Sequence, residues 1–511
     1  MAREADVDIL VIGGGVNGAG IARDAAGRGL SVMLCEQGDL AGATSSASSK
    51  LIHGGLRYLE YYQFRFVREA LIERETLLGV APHIIRPMRF ILPWEKGLRP
   101  RWMIALGLFL YDHLGPRGRL AGSKRIDLRQ SPEGAPLKTY LTTGFSYSDC
   151  AVDDARLVAL NAFDAHERGA DIRTRTRCAS AKRDLGLWRI TLQNAQDKAE
   201  RTVTARALVN AAGPWASEVL NVVCGVGAGN KLRLVKGSHI IAPRLYEGDH
   251  AYILQNEDRR VVFVMPFAQN FTLIGTTEIP FEGDPSKAMI SADEIAYLCE
   301  AASRYFATPL APKDIVHSFS GVRPLYDDKA SSDSAVTRGY VLDLDQPSGE
   351  APLLSVLGGK ITTYRRLAED AVEALSSHLS PPQPERWTAE SPLPGGDIED
   401  GDFDLFLHQL RAHRPWLPAA LAMRLAHAYG TRVEKILRGA RSAKDLGEDF
   451  GAGLSRAEID YLIDQEWALS AEDILWRRSK LGLSLLPAEA ARVQTYVTER
   501  AKAHLKEENR S

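Results

Sequence analysis

Residues 8–36 read DILVIGGGVNGAGIARDAAGRGLSVMLCE. An apolar run over residues 8–12 meets the glycines, and Ala19, Ile21, Ala22, Ala25 and Ala26 then place small apolar residues on one helical face. The helix stops at Gly29, and residues 31–36 (SVMLCE) read as a second buried strand. The stretch is therefore one strand–helix–strand unit. Gly13, Gly15 and Gly18 have the GxGxxG spacing, which supplies a tight turn, close backbone approach to a pyrophosphate, and close packing of helix on strand. The helix start faces the phosphates with unpaired N–H groups and the positive end of its dipole. Glu36 ends the second strand about 20 residues later, where a carboxylate accepts ribose hydroxyls. Strand, helix, second strand and acid coincide, so an adenine dinucleotide is implied.

The rest of the chain is long enough for several cores. Its 511 residues allow two to four domains. With 63 Lys+Arg against 65 Asp+Glu, the net charge of −2 creates no global basic field, which argues against a general nucleic-acid binder. Composition is ordinary for globular proteins, and the five cysteines (Cys35, Cys150, Cys178, Cys224, Cys299) are scattered without a CxxC. They read as reduced core thiols, with no metal site expected. The opening MAREADVD lacks the basic and apolar segments of an export signal. The longest apolar stretch, residues 102–111 (WMIALGLFLY), falls short of the roughly 20 residues of a membrane span.

Further nucleotide-domain pieces lie far along the sequence. Residues 154–167 read as a helix, 170–175 and 187–192 as strands, and 207–210 as an apolar run ending at AAGPWA, which contains Gly213. Residues 251–254, 260–266 and 271–276 have strand periodicity and predict an interleaved antiparallel sheet. Residues 380–396 (SPPQPERWTAESPLPGG) break regular structure, and helical patterns dominate thereafter. The predicted fold class is α/β. Residues 1–90, 150–225 and 320–380 form the dinucleotide-binding domain. Residues 91–149 and 226–319 form an antiparallel substrate domain, residues 381–396 a linker, and residues 397–511 an all-α C-terminal domain.

Directly after the ribose-binding strand, residues 44–60 (TSSASSKLIHGGLRYLE) cluster Thr44, Ser45, Ser46, Ser49, Lys50, His53 and Gly54, hydroxyls and amides suited to the second half of a permanently bound nucleotide. Gly358, Gly359 and Lys360 end the apolar run 353–357 and open a helix with Thr362 in its first turn. Glycines there let backbone approach a ring, and the helix start can stabilise an anionic reduced flavin.

GGGVNGAGIARDAAGRGLSV, SSASSKLIHGGLRYLE, SDCAVDDARL, KGSHI, AYILQNEDRRVVFV, SGVRPL and LSVLGGKITTYRRLAE occur in this order. Together they resemble the FAD-dependent aerobic (respiratory) glycerol-3-phosphate dehydrogenases over about residues 5–395, with the helical tail in keeping. The resemblance implies a glutathione-reductase-like domain holding non-covalent FAD, and oxidation of sn-glycerol 3-phosphate to dihydroxyacetone phosphate. It also implies electron transfer to a membrane quinone. Partners implied are glycerol 3-phosphate, the quinone and membrane-surface lipids, with no nucleic acid and a homodimer as candidate assembly. The implied location is the cytoplasmic face of the cell membrane, with peripheral attachment.

By this resemblance Arg57, Arg323 and Lys360 form the phosphate and substrate clamp, Tyr58 contributes a hydroxyl, and Tyr252 is a pocket residue. Arginine forks bind phosphate oxygens in pairs, and lysine adds a mobile point charge. His239 is the leading base, because imidazole titrates near working pH; Arg323 polarising the hydroxyl is the alternative. His53 matches the glycerol-phosphate type rather than enzymes that attach flavin covalently through a nearby histidine. Rival readings are an oxygen-using glycerol-3-phosphate oxidase, an amine or amino-acid oxidase on the same fold, and a flavoprotein scaffold without activity. For residues 102–111 the favoured expectation is a buried helix, since it is apolar all round. Membrane contact would then fall to Arg99, Arg101, Arg117, Arg119, Lys124, Arg125 and the C-terminal domain.

Overall fold

The computed structural model describes residues 5–227, 232–258, 260–326 and 339–508. The opening stretch folds as read: β1 (Val7–Ile12), α1 (Val16–Gly27) and β2 (Val32–Cys35). β1 lies between β2 and Glu200–Asn210, parallel to both, and Leu353–Gly358 adds a further parallel strand. Both faces of this sheet are covered, which explains its continuous apolar strands. Ile9, Val11, Val32 and Leu34 pack under α1 and the helices Asp154–Glu167 and Tyr364–Leu379. Leu10, Ile12, Met33 and Cys35 pack instead against Trp188 and Ile190 of an antiparallel hairpin, Thr176–Asp184 with Leu187–Asn194.

A second sheet has ten strands among the described residues, and all but one of its pairings are antiparallel. It takes in Leu51–Ile52 and Ile85–Pro93, and also His317–Tyr326. Residues 1–90 and 320–326, expected wholly in the dinucleotide-binding domain, therefore contribute strands to the second sheet. The chain thus crosses between the two sheets more often than composition suggests, and each crossing delivers a loop to their junction. The helix Ala292–Tyr305 covers one face of the second sheet, and Phe64–Val80 with Arg101–Leu114 cover part of the other.

Residues 381–396 are irregular yet strapped to the helix layer. Arg23 and Arg168 lie over the Trp387 ring, and Arg28 donates to the Pro384 carbonyl. Beyond them, Phe403–His413, Ala419–Tyr429, Arg456–Glu466 and Pro487–Glu508 enclose a core containing Leu410, Leu425, Leu462 and Val493.

The Arg101–Leu114 helix departs from expectation. Ile104, Leu108 and Tyr111 are buried, but Trp102, Met103, Leu106 and Phe109 face outward, with Trp102 66% and Phe109 57% exposed. An all-round apolar helix here presents one apolar face to solvent. No described helix is long and apolar enough to cross a membrane.

Candidate active site

Two cavities of about 1100 and 830 Å3 meet between the sheets and share Gly15, Thr44, Ser45, Ala47 and Gly213. They form one trough from Glu36 to Lys360. At the Glu36 end, the carboxylate accepts the amides of Gly14 and Gly38, each at 2.7 Å, leaving lone pairs for ribose hydroxyls. Burial raises this carboxyl above its ordinary range, while the Gly38 and Gly14 amides pull it down. A Cβ on Gly18 would overlap the Gly13 carbonyl, so that glycine sets the packing of α1 on β1. A Cβ on Gly15 would meet only the Ser45 hydroxyl, at 3.2 Å, so its Cα faces the trough.

The same loop is less uniform than its sequence suggests. Thr44, Ser45, Ser46 and Ser49 line the trough, with Ser45 Oγ accepting the Val16 amide at 3.0 Å and Thr44 donating to the Val322 carbonyl. Lys50 touches the cavity, but its ammonium donates to Asp154 and to the Ser46 carbonyl. It acts as a loop brace, where a direct cofactor contact was expected. Gly54 does not line the trough; its amide donates to the Tyr111 hydroxyl, which donates to Asp149.

Gly358, Gly359, Lys360 and Thr362 line the larger cavity as expected, the glycines at φ +81° and +96°. His53 lines it too, and its backbone is tied to this end: the His53 amide donates to Thr362 Oγ1 at 3.3 Å. Asn17, absent from the sequence reading, stands at the same place. Its Nδ2 donates to the Gly358 carbonyl, and its buried Oδ1 has no protein partner. An orphan acceptor beside a glycine-lined end, and a glycine turn opening onto a helix start, fit a dinucleotide as long as FAD. Residues that would hold its adenosine stand at Glu36, those for its pyrophosphate at Gly13–Gly15, and those for its flavin at 358–362.

Beside that end sit the cations. Arg57 and Arg323 flank Glu278, at 3.8 and 3.7 Å, and Arg323 also donates to Thr276 Oγ1 at 3.0 Å. Lys360 Nζ lies 3.9 Å from the Tyr58 ring centroid and 4.4 Å from that of Phe66. Two arginines and a lysine beside the Glu278 carboxylate make an arrangement suited to a dianionic phosphate. Glu278 also went unread: an acid in GTTEIP acquires meaning only when folding brings two arginines to it.

Two expected residues sit elsewhere. Tyr252 is fully buried in the core beneath the second sheet, its hydroxyl on the Glu133 carbonyl and His250; its neighbour Ile253 lines the cavity instead. His239 is 1% exposed, stacked on Phe319 at 4.9 Å, and reaches the trough only through Ser49 Oγ, 3.0 Å from Nε2. Burial, then the charges of Arg323 and Lys50, hold its pKa well below the ordinary imidazole range. Both features make it a poor base. Among the described residues, His53 is the imidazole lining the cationic cavity.

Known proteins similar to this chain identify its family. Residues 8–365 match the family described as FAD dependent oxidoreductase, and residues 386–510 the C-terminal domain of alpha-glycerophosphate oxidase. A glycerol-3-phosphate dehydrogenase of Pseudomonas aeruginosa is 55% identical, covering 96% of this chain and 94% of its own. A D-erythritol 1-phosphate dehydrogenase of Brucella abortus is 52% identical, over 96% and 97%. The crystal structure of the Bacillus halodurans glycerol-3-phosphate dehydrogenase complexed with FAD superposes with a TM-score of 0.74 at 26% identity, over 97% of this chain and 94% of that one. A dinucleotide trough ending in a cationic cleft, and full-length likeness to these enzymes, make the chain a member of the FAD-dependent oxidoreductase family, in the group that includes the glycerol-3-phosphate dehydrogenases.

Proposed function

We propose that the chain oxidises sn-glycerol 3-phosphate at its secondary hydroxyl, giving dihydroxyacetone phosphate, and passes the electrons to a membrane quinone. The observation that carries this is the convergence of Arg57, Arg323 and Lys360 on the Gly358–Gly359 end of the trough. Bound FAD, held non-covalently, supplies the hydride acceptor. The arginine forks and Lys360 take the phosphate and fix the carbon skeleton. His53 takes the hydroxyl proton, since it lines the cavity where His239 does not. An amine or amino-acid oxidase would have no use for three cations at this end.

A second substrate follows from the Brucella relative, only slightly less similar than the Pseudomonas one: D-erythritol 1-phosphate, which offers the same phosphate on a longer polyol. The purified yellow protein, mixed anaerobically with each phosphate, distinguishes them by the rate at which the flavin band bleaches. Faster bleaching by the erythritol ester reassigns the substrate, and bleaching by neither refutes the clamp. His53→Gln should slow bleaching by a hundredfold or more; an unaffected His53→Gln beside an inert His239→Gln returns the base to His239.

The quinone would approach the other end of the larger cavity, where Leu98, Met103, Ile104, Leu106 and Leu110 line an apolar passage to the exposed face of the Arg101–Leu114 helix. That face would seat in the membrane interface, with Lys124 and Arg125 exposed nearby for anionic headgroups. The other flanking arginines have protein partners: Arg99 binds Glu60 and Gln255, Arg101 stacks on Trp94, Arg117 pairs with Asp112, and Arg119 donates to the carbonyls of Asp400 and Gly401. Attachment to the cytoplasmic face and reoxidation by quinone faster than by oxygen complete the proposal. A reduced protein reoxidised by oxygen alone would make it an oxidase.

A further inference from the structure

The adenosine half of the trough is not closed by the nucleotide-binding sheet alone. Part of its wall, at Glu472, Trp476, Arg477, Lys480 and Leu483, comes from the helical C-terminal domain. Most of these residues belong to or flank one π-helical turn, Asp473–Arg478. Single π turns are uncommon and concentrate at functional places. Here the turn directs two adjacent arginines at one carboxylate. Arg477 Nε reaches Asp39 Oδ2 at 2.6 Å, and Arg478 reaches both Asp39 oxygens, at 3.0 and 2.8 Å. Asp39 is buried, three residues beyond the ribose carboxylate Glu36. Asp473 closes the cluster by pairing with Arg477 at 2.6 Å and with Arg175.

A second tie grips the other end of the same loop. Lys480 pairs with Asp153 and approaches Asp154 at 3.5 Å. Asp154 in turn holds Lys50 Nζ at 2.9 Å and the Ser48 hydroxyl at 2.7 Å, while Lys50 donates to the Ser46 carbonyl at 2.8 Å. The Trp476 ring stacks on His317, centroids 4.3 Å apart. Residues 39–50, which bring Thr44, Ser45, Ser46 and Ser49 to the trough, are therefore fastened at both ends from the C-terminal domain. Buried ion pairs contribute little net stability compared with apolar packing, so a cluster this dense at a domain seam argues for placement of the loop.

We propose that the C-terminal domain latches the cofactor: the Asp473–Arg478 turn and Lys480 are positioning residues that fix residues 39–50 over the adenosine half and slow the loss of FAD. Opening the trough there requires breaking both ties together. Linkage makes the effect reciprocal, so bound FAD steadies the turn as much as the turn steadies FAD.

The test follows the release of FAD from holoenzyme by the rise in free-flavin fluorescence after high dilution into buffer without flavin. Arg477→Gln and Lys480→Gln should each release FAD at least tenfold faster than the wild type. Arg492→Gln, whose partners Glu448 and the Asp449 carbonyl lie outside the latch, should release it at the wild-type rate. Wild-type rates from both latch variants would overturn the proposal. A second measurement needs no variant: amide exchange of residues 39–50 and 473–478 in the wild type, with and without FAD. Slower exchange of both segments in the holoenzyme is expected, and exchange of residues 473–478 that ignores FAD would overturn the latch. A wild-type protein with no flavin spectrum would overturn both the latch and the cofactor beneath it.

Discussion

Replacing Trp102 and Phe109 by aspartate tests whether the outward face of the Arg101–Leu114 helix is a membrane seat. The two side chains are 66% and 57% exposed. With roughly 250 and 200 Å2 for the whole side chains, about 280 Å2 of apolar surface is on offer. At about 25 cal/mol per Å2, complete transfer from water would contribute about 7 kcal/mol. An interfacial helix inserts only part of its girth, and half of that figure is a few hundredfold in partitioning at 1.4 kcal/mol per decade. Two new carboxylates facing anionic lipid add to the loss. The assay is flotation with liposomes of anionic and of neutral lipid, at low and high salt, with flavin content and circular dichroism showing that the variant is folded. A drop of at least a hundredfold in the bound-to-free ratio is expected. A drop smaller than threefold refutes the membrane seat. If solution mass halves while flotation is unchanged, the face is instead the contact of a homodimer.

Arg323→Ala should keep its FAD but lose at least about 30-fold in kcat/KM, since stranding a phosphate or hydroxyl without its charged partner costs about 2 to 5 kcal/mol; wild-type efficiency toward glycerol 3-phosphate would remove Arg323 from the clamp. Gly15→Val should fold, because a Cβ there meets only the Ser45 hydroxyl, yet emerge colourless because the branched side chain enters the trough; stoichiometric FAD in that variant would refute the dinucleotide placement. Acid should loosen the seam between the helix layer and the C-terminal domain. Burial pushes His83 down to about 3 and His427 down to about 4, so both are neutral when folded and take up protons on unfolding. Their stabilisation is full above about pH 6.5 and is lost as pH falls toward 4 and 3, at about 1.4 kcal/mol per pH unit each. Melting temperature should therefore fall less between pH 6.5 and 4.5 in His83→Leu than in the wild type, and equal slopes would sink the account.

The first nucleotide unit was legible because its signals are local. Apolar runs, glycine spacing and the terminal acid all lie within residues 8–36, and each has one geometric meaning there. The meeting of Arg57, Arg323 and Lys360 at one cavity was legible only through a set of motifs, since they lie on three distant segments that come together at the sheet junction. The misplacements come from strand parity and cover. Tyr252 and Ile253 are equally plausible pocket residues by composition, but successive residues face opposite sides of a sheet, and a one-residue difference sends the tyrosine into the core. His239 shares strand parity with Gly237, which does line the cavity, yet the cross-strand Phe319 lies over its ring. That pairing joins residues 80 positions apart, beyond the reach of any local pattern.

The exposed helix and the latch share a further reason for going unread. Residues 102–111 are apolar on every side, a pattern that signals burial when the only solvent considered is water. The fold buries one face against the second sheet and leaves the other bare, beside a cavity whose apolar end opens toward it. Sequence alone could not choose, because an interior and a membrane interface demand the same residues. Arg477 and Arg478 pose the converse problem. Read locally, adjacent arginines late in a helical domain belong to a solvated face. Their role appears only when Asp39, more than 430 residues earlier, is brought beneath them. A charge becomes informative through its partner, and here the partner stands three residues from Glu36, the carboxylate proposed for the ribose.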